Sequence, residues 1–351
     1  MIRPTLRMFH LVLALGGGLV VAVTGLSGAI LAFRTEIDAA LNPSLWHVEP
    51  SSVSRSLDEI LAAVKGTDGP APRMFLFPNR SDRAIVVLLA GPGSDCRWEV
   101  FVDPHTARLL GRRRLGSGWL ESVKRLHVEL FAGRRGRVIV GVGGLCSLAL
   151  GVTGFVLWWR SPRRMPIYSR RTLMLDVHRQ VGIFGLLPAT IIALAGAMLI
   201  FRPYLTPIFD VLTGPLPSET GIHSTGDHTL ASPSLEDIYN HACQIHPDAT
   251  ITRLYLPEGS RGTFAVRMRL PEEQNPHGNT AVYFDRYTGQ RIHEQTSRGA
   301  SLIRNLLWYA PYPWHTGDAL GVSGQWLVGL TGLVPSILLA TGICWWRSHR
   351  G

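Results

Sequence analysis

Four histidines sit at or just before four apolar stretches, and they recur in register. His10 leads a run that ends in Phe33-Arg34, and His178 leads one that ends in Phe201-Arg202. At this offset of 168 residues, Gly17, Leu19, Gly28, Ala29 and Leu31 meet identical residues without a gap. His127 opens HVELFAGRRGRVIVGVGGL and His315 opens HTGDALGVSGQWLVGLTGL. Here the offset is 188, and Gly133, Gly136, Val140, Gly141, Gly144 and Leu145 recur. Both copies finish in Trp-Trp-Arg. The pattern reads as a tandem duplication with one histidine of each half at each of two equivalent places. Ligands repeated about a pseudo-two-fold axis face each other across it. Neutral imidazole is a strong axial ligand for iron, so two facing pairs suit two bis-histidine haems built for electron transfer.

The elements that must hold these residues are membrane helices. The chain of 351 residues is 46% hydrophobic and 17% charged, an apolar balance that points away from a soluble protein. Leu11–Phe33, Val138–Trp159, Gln180–Phe201 and Ala319–Trp346 contain no Asp, Glu, Lys, Arg or His. Each reaches the ~20 residues needed to cross a hydrocarbon core. The first is no signal peptide: it is too long, it recurs as the third, and it carries the repeat's histidine. Arg3 and Arg7, the loop arginines Arg160, Arg163, Arg164, Arg170, Arg171 and Arg179, and Arg347 and Arg350 belong on one side. The positive-inside rule then places both termini in the cytoplasm. Arg112 to Arg114, Lys124, Arg125 and Arg134 to Arg137 fall outside, in keeping with the weak charge dependence of long translocated loops.

This orientation fixes the pairs. His10 and His178 share the inner end, while His127 and His315 share the outer end. Cross-pairing would separate ligands by about 22 helical residues, or ~33 Å. Arginines at 134 to 137 separate His127 from its apolar run, which predicts a surface helix for that histidine.

Two outer segments lie between the spans, and they repeat as well. Ser56-Leu57-Asp58-Glu59-Ile60 matches Ser234-Leu235-Glu236-Asp237-Ile238 in type, each a serine-capped helix start with acids in its first turn. Strand-like runs follow: MFLFP and AIVVLLA in the first, ITRLYLP and TFAVRMRL in the second. A strand then enters a turn at FVDPHTARLL and at YFDRYTGQRI. The implied organisation is a first span over 1–34, an outer domain over 35–118, and a surface helix with the second span over 119–160. A loop with the third span follows over 161–202, a second outer domain over 203–310, and a surface helix with the fourth span over 311–351.

The strand-Asp-x-x-Thr-Gly turn, the helix-opening histidines and the terminal Trp-Trp-Arg resemble the PepSY-associated transmembrane family, over nearly the whole chain. The resemblance implies an α-helical bundle of four membrane spans carrying two small α+β PepSY-like periplasmic domains. Members are often iron-regulated inner-membrane proteins of Gram-negative bacteria, and some are ferric-siderophore reductases that bind b-type haem. By that resemblance His10, His178, His127 and His315 are axial ligands of haem iron. The first turn has Ala107 where the second has Gly289, which suggests a structurally worn copy.

Arg34 and Arg202 end apolar helices on the outer side, and two readings stand: snorkelling to headgroups, or pairing with propionates of the outer haem. His223, His228, His241, His246, His277 and His293 match no metal-ligand spacing and read as scattered surface residues. Cys96 and Cys243 do not occupy matching places in the repeat, which disfavours a disulfide between them. No nucleic-acid module, Walker motif, nucleophile elbow or zinc-protease motif is present, and Gly141-x-Gly143 lies inside an apolar helix. Electrons must therefore come from a quinol or a partner reductase. The partners implied are a ferric siderophore or other ferric chelate, with Arg112, Arg113 and Arg114 suited to attract anionic ones, and membrane lipid. A second class is a non-redox membrane protein whose outer domains bind or restrain a periplasmic peptidase or another partner.

Overall fold

The structure, a computed structural model, describes residues 2–66, 69–91, 97–160, 170–216, 221–225 and 232–348. In chain order the first half contains helices α1 (Ile2–Leu31), α2 (Arg34–Leu41), α3 (Pro43–Trp46) and α4 (Leu57–Lys65). Strands β1 (Pro72–Leu76), β2 (Ile85–Ala90), β3 (Arg97–Val102) and β4 (Leu109–Arg114) follow, then α5 (Trp119–Glu129) and α6 (Gly133–Trp159). The second half runs α7 (Arg170–Thr213), α8 (Leu235–Ile245), β5 (Thr250–Tyr255), β6 (Thr263–Arg269), β7 (Thr280–Asp285) and β8 (Arg291–Gln295). It closes with α9 (Leu302–Arg304), a π-helical turn, α10 (Pro311–Thr316), a 3-10 turn and α11 (Gly321–Arg347). Two compact units result: a helical one (Met1–Arg34, Gly118–Leu212, Leu306–Gly351) and a sheet one (Thr35–Ser117, Thr213–Asn305).

In the helical unit α1, α6, α7 and α11 are each long and apolar enough to cross a membrane. Large apolar side chains such as Leu19, Phe184 and Leu187 point outward, as lipid-facing residues do. Small residues set the helix spacing. Gly25 of α1 and Gly332 of α11 meet backbone to backbone, Gly17 lies against Cys146 of α6, and Gly185 of α7 lies against Val334 of α11. Thr24 and Ser27 return their hydroxyls to carbonyls of α1, so they add no unsatisfied polar group to the bundle.

The sheet unit departs from the expectation of one small domain per outer segment. Its eight strands form a single antiparallel sheet in the order β4-β3-β2-β1-β5-β6-β7-β8. The halves join where β1 pairs with β5, with Met74 opposite Tyr255 and Phe75 opposite Leu254. Each four-stranded half would otherwise expose the edge of an apolar strand, and the junction covers both edges at once. On one face α4 and α8 bury Ile60, Val64, Ile238 and Ala242 against Phe75, Val87, Leu254 and Phe284. Ser56 forms a capping box with Glu59, and Ser234 accepts from the Asp237 amide. The helices also cap each other: Glu236 accepts from the Leu57 amide at 2.9 Å, and Asp58 accepts from Leu235 at 3.0 Å. Acids in a first turn thus satisfy the orphan amides of the neighbouring helix.

Three expectations change here. The turn at Ala107 is intact: Asp103 accepts from Thr106 Oγ1 as Asp285 accepts from the Thr288 amide. Ala107 takes the left-handed φ of 56° where Gly289 takes 67°, so the copy is strained, not worn. Arg113 is no free attractant for anions, because it forks onto Asp38 at 2.6 Å and donates to Glu99 at 2.6 Å. Burial pushes the Asp38 carboxyl up, but bonds from Arg113, Trp46 and Asn42 outweigh it and hold it below the usual range. His246 is buried and bonds Glu294 at 3.0 Å instead of lying on the surface. Cys96, His228 and the loop arginines Arg163 and Arg164 lie outside the described residues.

Candidate functional site

The helical unit brings the four histidines together in the expected pairs. His10 of α1 and His178 of α7 have ring centroids 6.4 Å apart at an interplanar angle of 81°. His127 of α5 and His315 of α10 have centroids 5.8 Å apart at 42°. Two imidazoles sharing one ion, each at about 2 Å from nitrogen to metal, place their centroids about 6 Å apart.

Every ring is held through Nδ1. His127 Nδ1 lies 2.8 Å from the carbonyl of Thr24, and His315 Nδ1 lies 2.9 Å from that of Ile192. His178 Nδ1 lies 3.1 Å from the Leu338 carbonyl and 3.2 Å from Thr341 Oγ1. His10 Nδ1 lies 2.8 Å from Thr153 Oγ1, whose own proton goes to the Ala149 carbonyl at 2.8 Å. A carbonyl only accepts, so Nδ1 must carry the proton and Nε2 the lone pair. Among the described residues no hydrogen bond engages any of the four Nε2 atoms. This is the outer-shell arrangement that fixes the tautomer of metal-bound histidine. Burial, together with the neighbouring His315, also pushes His127 down to about 4, which keeps that imidazole neutral.

Thr24 and Ile192 hold matching places at the 168 offset, and Thr153 with Thr341 and Leu338 with Leu150 do so at 188. The threonines were readable in sequence as recurring polar residues within apolar runs. The carbonyl acceptors have no side-chain signal and were not readable. Glycines floor each ring. A Cβ on Gly28 would come 2.9 Å from His127 Cε1, and one on Gly196 would come 2.6 Å from His315 Cε1. At Gly154 and Gly342 the distances to His10 and His178 are 3.4 Å. Of the glycines that recur at the 168 offset, Gly28 and its match Gly196 therefore serve the site, whereas Gly17 and its match Gly185 serve helix contacts.

His127 is not confined to the surface. The chain reverses after α5 through Leu130 and Phe131, both in the left-handed region at φ 47° and 57°. A Cβ on Gly136 would run into the Glu129 carbonyl, and one on Gly324 into that of Gly317. These tight reversals fold α5 and α10 back so that their histidines reach α1 and α7. Along α1 the second pair lies at Thr24 to Gly28, which is about 21–27 Å from His10 at 1.5 Å per residue. That is closer than the ~33 Å expected from a whole span. A small apolar recess of about 30 Å³, lined by Pro188, Ile192, Pro313 and Trp314 among others, lies next to His315 in the chain.

Arg34 pairs with Glu121 at 3.6 Å, its side chain 45% exposed. Arg202 donates to the Trp308 carbonyl and stands over the Trp308 ring at 5.4 Å. Among the described residues no three His, Cys, Asp or Glu side chains converge on one point. A bare ion at either pair would have two protein ligands, whereas a macrocycle brings the remaining in-plane donors itself. The two pairs, their oriented tautomers and their glycine floors therefore fit haem.

The chain matches the family model described as the PepSY-associated TM region over residues 7–348. It belongs to that family. Comparison with the curated proteins finds no match.

Proposed function

We propose that this membrane protein is a di-haem b electron-transfer protein of the bacterial inner membrane. It reduces periplasmic ferric chelates, in the manner of a ferric-siderophore reductase, and releases Fe(II). The carrying observation is the two facing imidazole pairs, each with Nδ1 committed to a helix carbonyl or threonine. In this reading both termini are cytoplasmic, the sheet unit is periplasmic, and a quinol or partner reductase supplies electrons. Bound haem would supply a reversible one-electron iron centre.

The chain's own residues set the conditions. His10 and His178 would hold the inner group, and His127 and His315 the outer. Thr153, Thr341 and the carbonyls of Thr24, Ile192 and Leu338 engage Nδ1 and so would leave Nε2 of each imidazole to hold iron. The apolar helices exclude water, which favours electron transfer over side reactions. Arg34, half exposed and paired with Glu121, would be the residue to meet an outer propionate. Arg202 is already committed to Trp308. Hard oxygen donors suit Fe(III) better than Fe(II), so reduction of the substrate loosens its chelate.

The test is stopped-flow re-oxidation of chemically reduced, reductant-free protein by a ferric siderophore. Wild type should re-oxidise. The His127→Ala/His315→Ala variant should not, and re-oxidation at the wild-type rate would refute the assignment.

A further inference from the structure

The four histidines are not held alike. Through Nδ1, His127, His315 and His178 each reach a helix carbonyl, those of Thr24, Ile192 and Leu338 respectively. A carbonyl belongs to the backbone and outlasts any side-chain substitution. His10 reaches none. Among the described residues its hydrogen bond runs from Nδ1 to Thr153 Oγ1 at 2.8 Å. The Leu150 carbonyl, which matches Leu338 at the 188 offset, is met by the Thr153 hydroxyl at 3.2 Å instead of by His10. In the other half Thr341 matches Thr153, but there it shares His178 with the Leu338 carbonyl, at 3.2 and 3.1 Å. Thr153 gives its own proton to the Ala149 carbonyl at 2.8 Å. A hydroxyl that donates on one side accepts more strongly on the other, so Ala149, Thr153 and His10 form a directed relay. Thr153 is only 8% exposed, which leaves water little access to replace its hydroxyl. An imidazole whose Nδ1–H donates is a more basic ligand at Nε2. A more basic axial ligand favours Fe(III) over Fe(II) and lowers the potential.

We propose that Thr153 is the positioning residue of the inner site: its hydroxyl alone fixes the His10 ring and keeps the potential of the inner haem low, whereas the matching Thr341 is dispensable. An electron rests where the potential is higher, so a low inner potential sends it outward. This role rests on the haem reading given above.

The test is a spectroelectrochemical titration of the full-length, haem-loaded protein, which needs neither chelate nor turnover. Thr153→Val removes the hydroxyl at nearly constant volume. It should raise the midpoint potential of one haem, the one that His10→Ala/His178→Ala removes, and leave the other unmoved. The low-spin EPR signal of the same haem should broaden as the His10 plane loses its anchor. Thr153→Ala should shift the same haem in the same direction, which separates the lost hydroxyl from any misfit of valine. Thr153→Ser, which keeps the hydroxyl, and Thr341→Val, which leaves the Leu338 carbonyl in place, should both titrate as wild type. Equal shifts in Thr341→Val and Thr153→Val, or a shift in Thr153→Ser, would overturn the proposal. Two haems whose potentials ignore Thr153→Val and Thr153→Ala would overturn it and leave the haem reading standing. A protein that binds no haem would overturn both.

Discussion

Replacing Gly196 by alanine tests how tightly the second histidine pair is built. The new Cβ would lie 2.6 Å from Cε1 and 2.9 Å from Nδ1 of His315. Carbon atoms pack at about 3.5–4.0 Å, so the ring must retreat by about an ångström. Its Nδ1 is held at 2.9 Å from the Ile192 carbonyl, and that retreat stretches the bond past useful length. Overpacking costs about 1–3 kcal/mol and the lost bond about 1 kcal/mol. The second site should therefore weaken by about 2–4 kcal/mol, a factor of about thirty or more in haem affinity. Gly28→Ala, with a Cβ at 2.9 Å from His127 Cε1, should act in the same direction but more mildly. The controls are Gly154→Ala and Gly342→Ala, where 3.4 Å to His10 and His178 leaves near-ordinary contact. Pyridine haemochrome stoichiometry after gel filtration reads the outcome. Gly196→Ala should lose about one haem per chain, and the controls should keep both. Loss from the controls with retention in Gly196→Ala would refute this reading of the pocket.

Other outcomes follow from the same geometry. His10→Ala/His178→Ala should remove one haem and His127→Ala/His315→Ala the other, each leaving the remaining spectrum intact; a mixed pair such as His10→Ala/His127→Ala should disturb both. Asp38→Asn should lower the stability of the sheet unit by about 1–3 kcal/mol at neutral pH, through loss of a charge-assisted bond to Arg113. Because the folded-state pKa of Asp38 is depressed, its contribution is complete above the unfolded carboxylate value and fades as pH falls through the folded one. Thermal melts of wild type and variant should therefore converge in acid. Gly289→Ala should cost about 1–2 kcal/mol, since φ is 67° and a Cβ would crowd Pro233 at 3.3 Å, and a melt unchanged from wild type would contradict it.

Much of this was legible because it is local or periodic. The four spans follow from runs free of charge, although α1 begins at Ile2 and α7 continues to Thr213 through Pro203 and Pro207. Ser56 and Ser234 cap the helices that their spacing indicates. The histidine pairs follow from repeat position and membrane side. What stayed hidden is non-local or carried by backbone. Nothing in β1 or β5 announces that they pair, since an edge strand reads the same whether covered or free. The bond from Arg113 to Asp38 joins residues 75 positions apart, and a run of three arginines reads as a charged surface. The reversal at Leu130 and Phe131 puts bulky residues where turn rules expect glycine, so the contact of His127 with α1 has no local signal in the sequence.

The most direct measurement is the absorption and low-temperature EPR spectrum of protein purified from haem-replete cells, with haem counted per chain. Two haems, a Soret band, sharp α-bands on reduction and low-spin bis-imidazole signals are the predicted result. The large angle of the His10–His178 pair, 81° against 42° for His127–His315, should give two distinguishable low-spin species. A colourless protein, or one haem with a single histidine ligand, would contradict the central claim and leave the partner-binding reading in its place.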